Sequence, residues 1–411
     1  MDKENKMSDQ RRQRQLQKIG RETQAEFEST RSQLQQRKDY RPEWDYFLDL
    51  LMRLFYPDAL QVAVDKPVVE HLCNQAPFEL FHAMGVHPAR LGSGSFNVVR
   101  VSSSRLPVLM CPYLKATMGM FELHGGSRLD RLYHVVPTTC DWVVKFPEMA
   151  DTVQTTCFLE LPHLREDEKG QKRWLEEIYG LVRFLEHQTG RKLKRKALKA
   201  SVQTFMHAWE AVGRLIELRR RRLLSGIWFM VAINSFLLDP IEIWTEHVLK
   251  LLDAIQSDSP QPLHQGLFLA GSPIVFPNFK LLNLIEAAGM DVCADDLCTS
   301  ERIWPGGVCY DNSSCHGLLK TLAERYHRAC ICPTFADNER RFNSIFNTLE
   351  QHRIRGVVFH VLKGCHPFDI ESFGLEPKLK QKGYKFLRIE TDYVEEDSRN
   401  ILTRLEAFSG I

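Results

Sequence analysis

The chain has 411 residues, 44% hydrophobic and 26% charged, enough for two or three domains with sizeable cores. Its net charge of +2 gives no reason to expect nucleic-acid binding. The longest apolar run, Ile227 to Leu238, is too short to span a bilayer and contains Asn234 and Ser235. Residues 1–39 are crowded with charge and Gln and lack an apolar signal-peptide core, so a cytoplasmic protein is expected.

Eleven cysteines are an odd number, and without an export signal disulfides are not expected. Surplus thiols then mean metal ligation, redox chemistry or burial. No CxxC occurs, which argues against zinc ribbons and ferredoxin-type runs. A metal site here has to be assembled from distant segments.

In chain order, Met1 to Gln36 is rich in Arg, Gln, Glu and Lys, with sparse apolar positions at Leu16, Ile19, Phe27 and Leu34. This predicts a solvated helix or a partly disordered arm that docks on the body or on a second subunit. Trp44 to Phe55 is a stronger amphipathic helix. Phe78 to Met84 is a predicted helix closed by Gly85, with Cys73 in the turn before it and Val86 to Leu91 as the strand after it. Leu91-Gly92-Ser93-Gly94-Ser95 lacks a full GxGxxG, so a turn is expected there rather than a phosphate loop. Cys111 precedes Pro112 and a helix through Phe121. Leu129 to Val136 is a strand, and Cys140 lies in the turn before a helix that begins at Trp142.

Arg165 to Leu252 is predicted to be mostly helical, and the run Arg219 to Arg222 is expected on a solvated helix face, with an anion site as the alternative. Asp239-Pro240 starts a further helix, and Ser257 to Gln265 has linker composition. A second α/β half follows, with Gly266 to Ala270 as a strand, Asn278 to Ala288 as a helix capped by Gly289, and Met290 to Ala294 as a strand. Cys298 leaves the sheet after that strand, and Cys332 follows the helix around Leu318 to Tyr326. Gly356 to Leu362 is a strand, and Cys365 lies in the turn Lys363 to Pro367. The helix beyond is expected to break near Gly374 and Pro377, before a strand over Tyr384 to Glu390. Strand, turn, helix and strand make a parallel βαβ crossover with Cys365 at the carboxyl edge of the sheet, where open α/β folds place ligands.

The expected fold is thus α/β, with two open parallel-sheet domains of the Rossmann or flavodoxin kind. Residues 1–60 form a helical arm, 61–164 the first α/β domain, 165–260 a helical segment and 261–411 the second α/β domain. Cys73, Cys111 and Cys140 in the first half, and Cys298, Cys332 and Cys365 in the second, occupy loops beside sheet edges or helix starts. Soft thiolates without histidine pairs at zinc spacing favour an iron–sulfur centre over zinc, and buried thiols are the competing reading. Cys157, Cys293, Cys309, Cys315 and Cys330 have weaker context and are assigned to structural roles.

From about Pro67 onward the chain resembles the D-component superfamily of 2-hydroxyacyl-CoA dehydratases and benzoyl-CoA reductases. The stretches that carry the resemblance are HLCNQAPFEL, LMCPYLKATMG, TTCDWVVKFP, LAGSPI, DDLCTSER, GVVFHVLKGCHPFDIES, FLRIETDY and TRLEAF. Cys-Pro, Asp-Leu-Cys-Thr, Cys-x-Cys-Pro and Cys-His make it more similar to the double-cubane cluster branch of that superfamily. The resemblance implies that Cys73, Cys111, Cys140, Cys298, Cys332 and Cys365 hold two 4Fe–4S cubanes joined by a sulfide. It also implies a separate ATP-hydrolysing iron–sulfur reductase as partner, a homodimer, and low-potential reduction of a small unsaturated molecule.

His366 is the candidate proton donor or hydrogen-bond donor to sulfur, with capping of the following helix as its alternative role. Two other functions stay open: a 2-hydroxyacyl-CoA dehydratase subunit with a single 4Fe–4S cluster, which eliminates water through a ketyl radical, and a non-catalytic iron–sulfur electron-transfer protein.

Overall fold

The computed structural model describes residues 2–55, 65–90, 92–124, 132–256, 265–304 and 306–410, with side chains from Gln10 onward. Two four-stranded, all-parallel sheets form the frame. The first contains β1 (Val68–His71), β2 (His87–Ala89), β3 (Leu132–Pro137) and β4 (Thr156–Leu159), in the order β2-β1-β3-β4. The second contains β5 (Gln265–Gly271), β6 (Met290–Asp295), β7 (Gly356–Leu362) and β8 (Lys385–Thr391), in the order β6-β5-β7-β8. The same order appears twice, so each half has its topological switch between its first and third strands. Strands β1, β3 and β7 are buried along their whole length, as parallel strands covered by helices must be.

The helices among the described residues are α1 (Asp2–Gln35), α2 (Trp44–Met52), α3 (Phe78–Ala83), α4 (Phe96–Ser102), α5 (Pro112–Leu123), α6 (Asp141–Met149), α7 (Glu168–Thr189), α8 (Arg195–Arg220), α9 (Gly226–Asn234), α10 (Ile241–Gln256), α11 (Lys280–Ala287), α12 (Cys315–His327), α13 (Glu339–Gln351), α14 (His366–Gln381) and α15 (Ser398–Ser409). None is long and apolar enough to cross a membrane. The apolar run from Ile227 instead forms α9, buried from Gly226 to Ile233, with Trp228 stacked on Trp44 of α2 at 4.5 Å.

The charged N-terminal segment is one helix, docked on its own chain. Ile19, Thr23 and Phe27, four residues apart, form its buried stripe, and Phe27 meets the edge of Phe276 at 5.1 Å. Glu26 accepts hydrogen bonds from the Phe96 amide (3.0 Å) and the Asn97 side chain (3.0 Å), so α1 caps α4. Residues 92–95 are irregular backbone that leads into α4, and Leu91 of the expected turn lies outside the described residues. Gly94 donates its amide to the Phe276 carbonyl at 3.0 Å, and a Cβ there would lie 1.9 Å from the Val275 carbonyl oxygen. This glycine lets the two halves approach each other.

Three expectations need correction. The helix after Cys365 does not break at Gly374 or Pro377 but runs unbroken as α14, because Phe368, Leu375 and Leu379 hold one face in the core on both sides of the proline. Strand β4, which contains Cys157, is not among the strands expected from sequence. Arg219 is fully buried rather than solvated, since Asp295 and Glu301 neutralise it. The linker expected over Ser257 to Gln265 lies outside the described residues except for Gln265, which begins β5.

Candidate functional site

The carboxyl edges of the two sheets face each other, and the six singled-out cysteines converge between them. Cys73 follows β1 and Cys140 follows β3, the two strands that flank the first switch point. Cys365 follows β7 and Cys298 follows β6. The halves touch directly here: the Asn74 side-chain amide and the Arg90 guanidinium both donate to the Cys298 carbonyl, at 2.5 and 2.8 Å.

One triad is Cys111, Cys140 and Cys365. Each is the residue immediately before a helix, α5, α6 and α14 respectively, so three helix N-termini meet at one place. Pro112 and Pro367 suit these starts, because a first-turn residue has no helical use for an amide hydrogen. The side chains of Cys365 and Cys111 act on each other, which pushes Cys365 up and holds Cys111 below the ordinary thiol range. Burial pushes Cys140 up to about 11. The tight turn that aligns them uses Gly364, which has φ +76° and backs onto the Leu109 carbonyl.

The other triad is Cys73, Cys298 and Cys332, with Cys330 beside it. Burial pushes the Cys73 thiol up, and the nearby Cys332 and Cys330 add to this. Gln75 joins the group by donating to the Cys330 sulfur at 3.3 Å. The loop that carries Cys298 is clamped by Asp295, whose carboxylate accepts from the Leu297 amide (2.9 Å), the Glu301 amide (3.1 Å) and the Ser300 hydroxyl (2.6 Å). Asp295 is itself held by buried Arg219 at 2.7 Å. Arg341, also fully buried, pairs with Asp296 and Glu371 at 2.5 and 2.7 Å. The triads adjoin, since Cys140 lies within electrostatic reach of Cys332.

Arg90 and Arg302 set the charge of this second triad. Neither makes a carboxylate ion pair among the described residues. Arg90 donates to the Cys298 sulfur at 3.5 Å and to the Asn74 side chain and the Leu72 and Cys298 carbonyls. Arg302 donates to the Ile331 carbonyl at 2.6 Å, while its Nε and Nη2 are buried without a hydrogen-bond partner. Burial pushes the Cys298 thiol up, but the two guanidiniums prevail and hold it below the ordinary range. Beside the first triad, the Tyr393 hydroxyl is likewise buried and unpartnered, within reach of Cys111 and Cys365.

A cation about 4 Å away is worth on the order of 4 kcal/mol at an effective dielectric near 20. A helix N-terminus contributes roughly 0.3–1 kcal/mol. Each guanidinium therefore outweighs a helix start as a source of positive potential.

Unpartnered buried donors beside converging thiols fit an anionic, sulfur-rich group, because each donor lacks an acceptor that such a group supplies. No three His, Cys, Asp or Glu side chains among the described residues lie close enough to share a single metal ion. A polynuclear cluster binds its thiolates on separate metal atoms, which suits the wider spacing. A cavity of about 680 Å³ opens on Cys73, Cys298, Cys330 and Cys332, with Asn74, Gln75 and Arg302 in its wall. Cys111, Cys140 and Cys365 do not line it.

His366 is the first residue of α14 and is exposed. Cys330, assigned a structural role from sequence, belongs to the thiol group, and its place in Cys-Ile-Cys was the signal that could have found it. Arg90 and Arg302 carried no sequence signal. Of the remaining cysteines, Cys293 is buried in β6 and Cys157 is half-buried in β4; Cys309 is exposed and Cys315 begins α12.

The chain is similar to several curated proteins. It is 23% identical over 374 residues to the protein named "Putative dehydratase subunit YjiM" of Escherichia coli (strain K12), with 83% of this chain and 90% of that protein covered. It is 22% identical over 327 residues to a benzoyl-CoA reductase subunit of Thauera aromatica, covering 74% and 80%. It is 21% identical over 358 residues to the beta subunit of lactoyl-CoA dehydratase from Anaerotignum propionicum, covering 85% and 93%. The model of the 2-hydroxyglutaryl-CoA dehydratase D-component family matches residues 73–410, from the first site cysteine to the last helix. The chain belongs to the 2-hydroxyglutaryl-CoA dehydratase D-component family.

Proposed function

We propose that this protein is an iron–sulfur reductase whose six thiolates, Cys73, Cys111, Cys140, Cys298, Cys332 and Cys365, hold a bridged pair of 4Fe–4S cubanes. The observation that carries the reading is the convergence of two cysteine triads from the facing edges of both sheets, with unpartnered buried donors beside each. When bound, such a group supplies low-potential electrons, more than one at a time.

The chain's own residues do the rest. Arg90, Arg302 and Tyr393 offer N–H and O–H groups to sulfur and lower the cost of burying its charge. Asp295 and Arg219 fix the Cys298 loop, and the three helix starts fix the other triad. The cavity beside Cys298 has room for a small unsaturated molecule. His366 delivers a proton only from the outer face, because it lies exposed at the start of α14. Electrons come from a separate ATP-hydrolysing iron–sulfur reductase, and the working form is a homodimer.

Three relatives named as subunits of dehydratases or of a reductase favour a second reading, a dehydratase subunit with one cubane that acts on a CoA thioester. Iron and acid-labile sulfide per chain, measured on protein purified without oxygen, separate the two. About eight irons with a slight excess of sulfide are expected for the bridged pair, and about four for the dehydratase reading. No iron after anaerobic reconstitution overturns both.

A further inference from the structure

The two triads differ in what surrounds their sulfurs, and the difference has a direction. Beside Cys298 stand two guanidiniums with no carboxylate partner among the described residues, Arg90 and Arg302. Of the carboxylates nearby, Asp295 and Glu301 are matched by Arg219 and Arg220, while Asp296 and Glu371 share Arg341 and act on Arg302 without an ion-pair contact, so the positive charge of Arg302 is offset in part and that of Arg90 is not. Beside Cys111 and Cys365 stands a neutral phenol, Tyr393. Lys115, a cation within electrostatic reach of Cys111, gives its ammonium to the Val108 carbonyl at 2.7 Å rather than to sulfur. The 680 Å³ cavity opens only on the arginine side.

We propose that Arg90 and Arg302 make the two halves of the site unequal in reduction potential, so that an electron entering the protein comes to rest on the Cys73/Cys298/Cys332 side, against the cavity. The inference rests on the iron–sulfur reading above. Reduction adds negative charge, and a fixed cation stabilises the reduced form more than the oxidised one, so the potential rises where the cations are. The helix starts at Cys111, Cys140 and Cys365 act in the same sense but more weakly. Arginine stays protonated throughout, so the asymmetry does not depend on pH. No bond forms or breaks in this step: one electron from the reductant is gained by the iron–sulfur group and redistributed within it. Arg90 and Arg302 are positioning residues, acting on substrate only through the thiolate-bound group.

The test is a reductive titration of anaerobic protein with a Ti(III) chelate, followed by electron paramagnetic resonance, on wild type, Arg302→Gln, Arg302→Lys and Tyr393→Phe. Iron is counted first. A count well below about eight per chain in wild type fails the bridged-pair reading on which the proposal rests, not the proposal alone. With iron in place, wild type is expected to show two reduction steps. Arg302→Gln lowers the upper step and leaves the lower one, Arg302→Lys restores most of the upper step, and Tyr393→Phe moves only the lower one. A single unresolved step in wild type, an Arg302→Gln shift in the lower step, or an upper step moved by Tyr393→Phe overturns the proposal. Should Arg302→Gln lose iron, wild type and Tyr393→Phe still decide it.

Discussion

At the scale of single residues, the site turns on which thiols point at one another. Cys330 and Cys332 are separated by one residue, and both line the same cavity. The Cys330 sulfur accepts a hydrogen bond from Gln75 at 3.3 Å, and burial pushes its thiol up to about 11. The Cys330 sulfur thus has a protein donor beside it, as the Cys298 sulfur has in Arg90. Replacing Cys332 with Ala is expected to remove about half of the bound iron, whereas Cys330→Ala keeps it near the wild-type count. Equal loss from both variants would make Cys330 a ligand and the site a seven-thiol one. The sequence singled out Cys332 by its Cys-Pro context but could not weigh Cys330, because its partners Gln75 and Cys73 lie more than 250 positions away.

At the scale of elements, helix starts and tight turns deliver the thiols. Gly364 is the most exacting of these positions. Its φ of +76° lies in the left-handed region, and an added Cβ would fall 1.9 Å from the Leu109 carbonyl and 3.3 Å from the Cys111 amide. Those atoms are backbone, so they yield only if the Cys111 loop moves. Gly364→Ala is therefore expected to cost about 1–2 kcal/mol from the left-handed backbone alone. It also pulls Cys111 away from Cys365, which iron content and the chemical denaturation midpoint measure together. Unchanged iron in a folded variant would show that the two loops are not coupled. Strand β7 was legible from its β-branched run, and its bounds, Gly356 to Leu362, were found as expected. The continuity of α14 through Pro377 was not legible, since the packing of Phe368, Leu375 and Leu379 outweighs a local rule.

At the scale of the whole molecule, stability against acid follows from histidines buried without charge. His87 donates from Nε2 to the Leu237 carbonyl at 2.9 Å, and His360 from Nδ1 to the Ser272 carbonyl at 3.1 Å. Burial pushes each down to about 4. Between the ordinary histidine value near 6.5 and about 4, the unfolded chain binds protons that the folded one refuses, so stability falls as pH falls through that window. Each histidine accounts for on the order of 3 kcal/mol at the acid end. Thermal midpoints are expected to drop steeply from about pH 6.5 to about 4.5, and His360→Gln should flatten the slope by about one proton. A slope unchanged in that variant would assign the acid sensitivity elsewhere.

The sequence by itself determined the α/β class, most of the strands, and six cysteines placed in loops beside sheet edges, because hydrophobic period and turn residues are local signals. Its family motifs located the stretches that matter. Only the tertiary structure decided how the six divide into triads. The facing of two sheet edges brings Cys73 to Cys298 and Cys111 to Cys365, and no spacing along the chain encodes that. It also decided that Arg219 is a buried clamp rather than a solvated charge, and that Arg90 and Arg302 are cations with no ion-pair contact to a carboxylate among the described residues. A charge acquires its meaning from what stands within a few ångströms of it, and here those neighbours come from the other half of the chain.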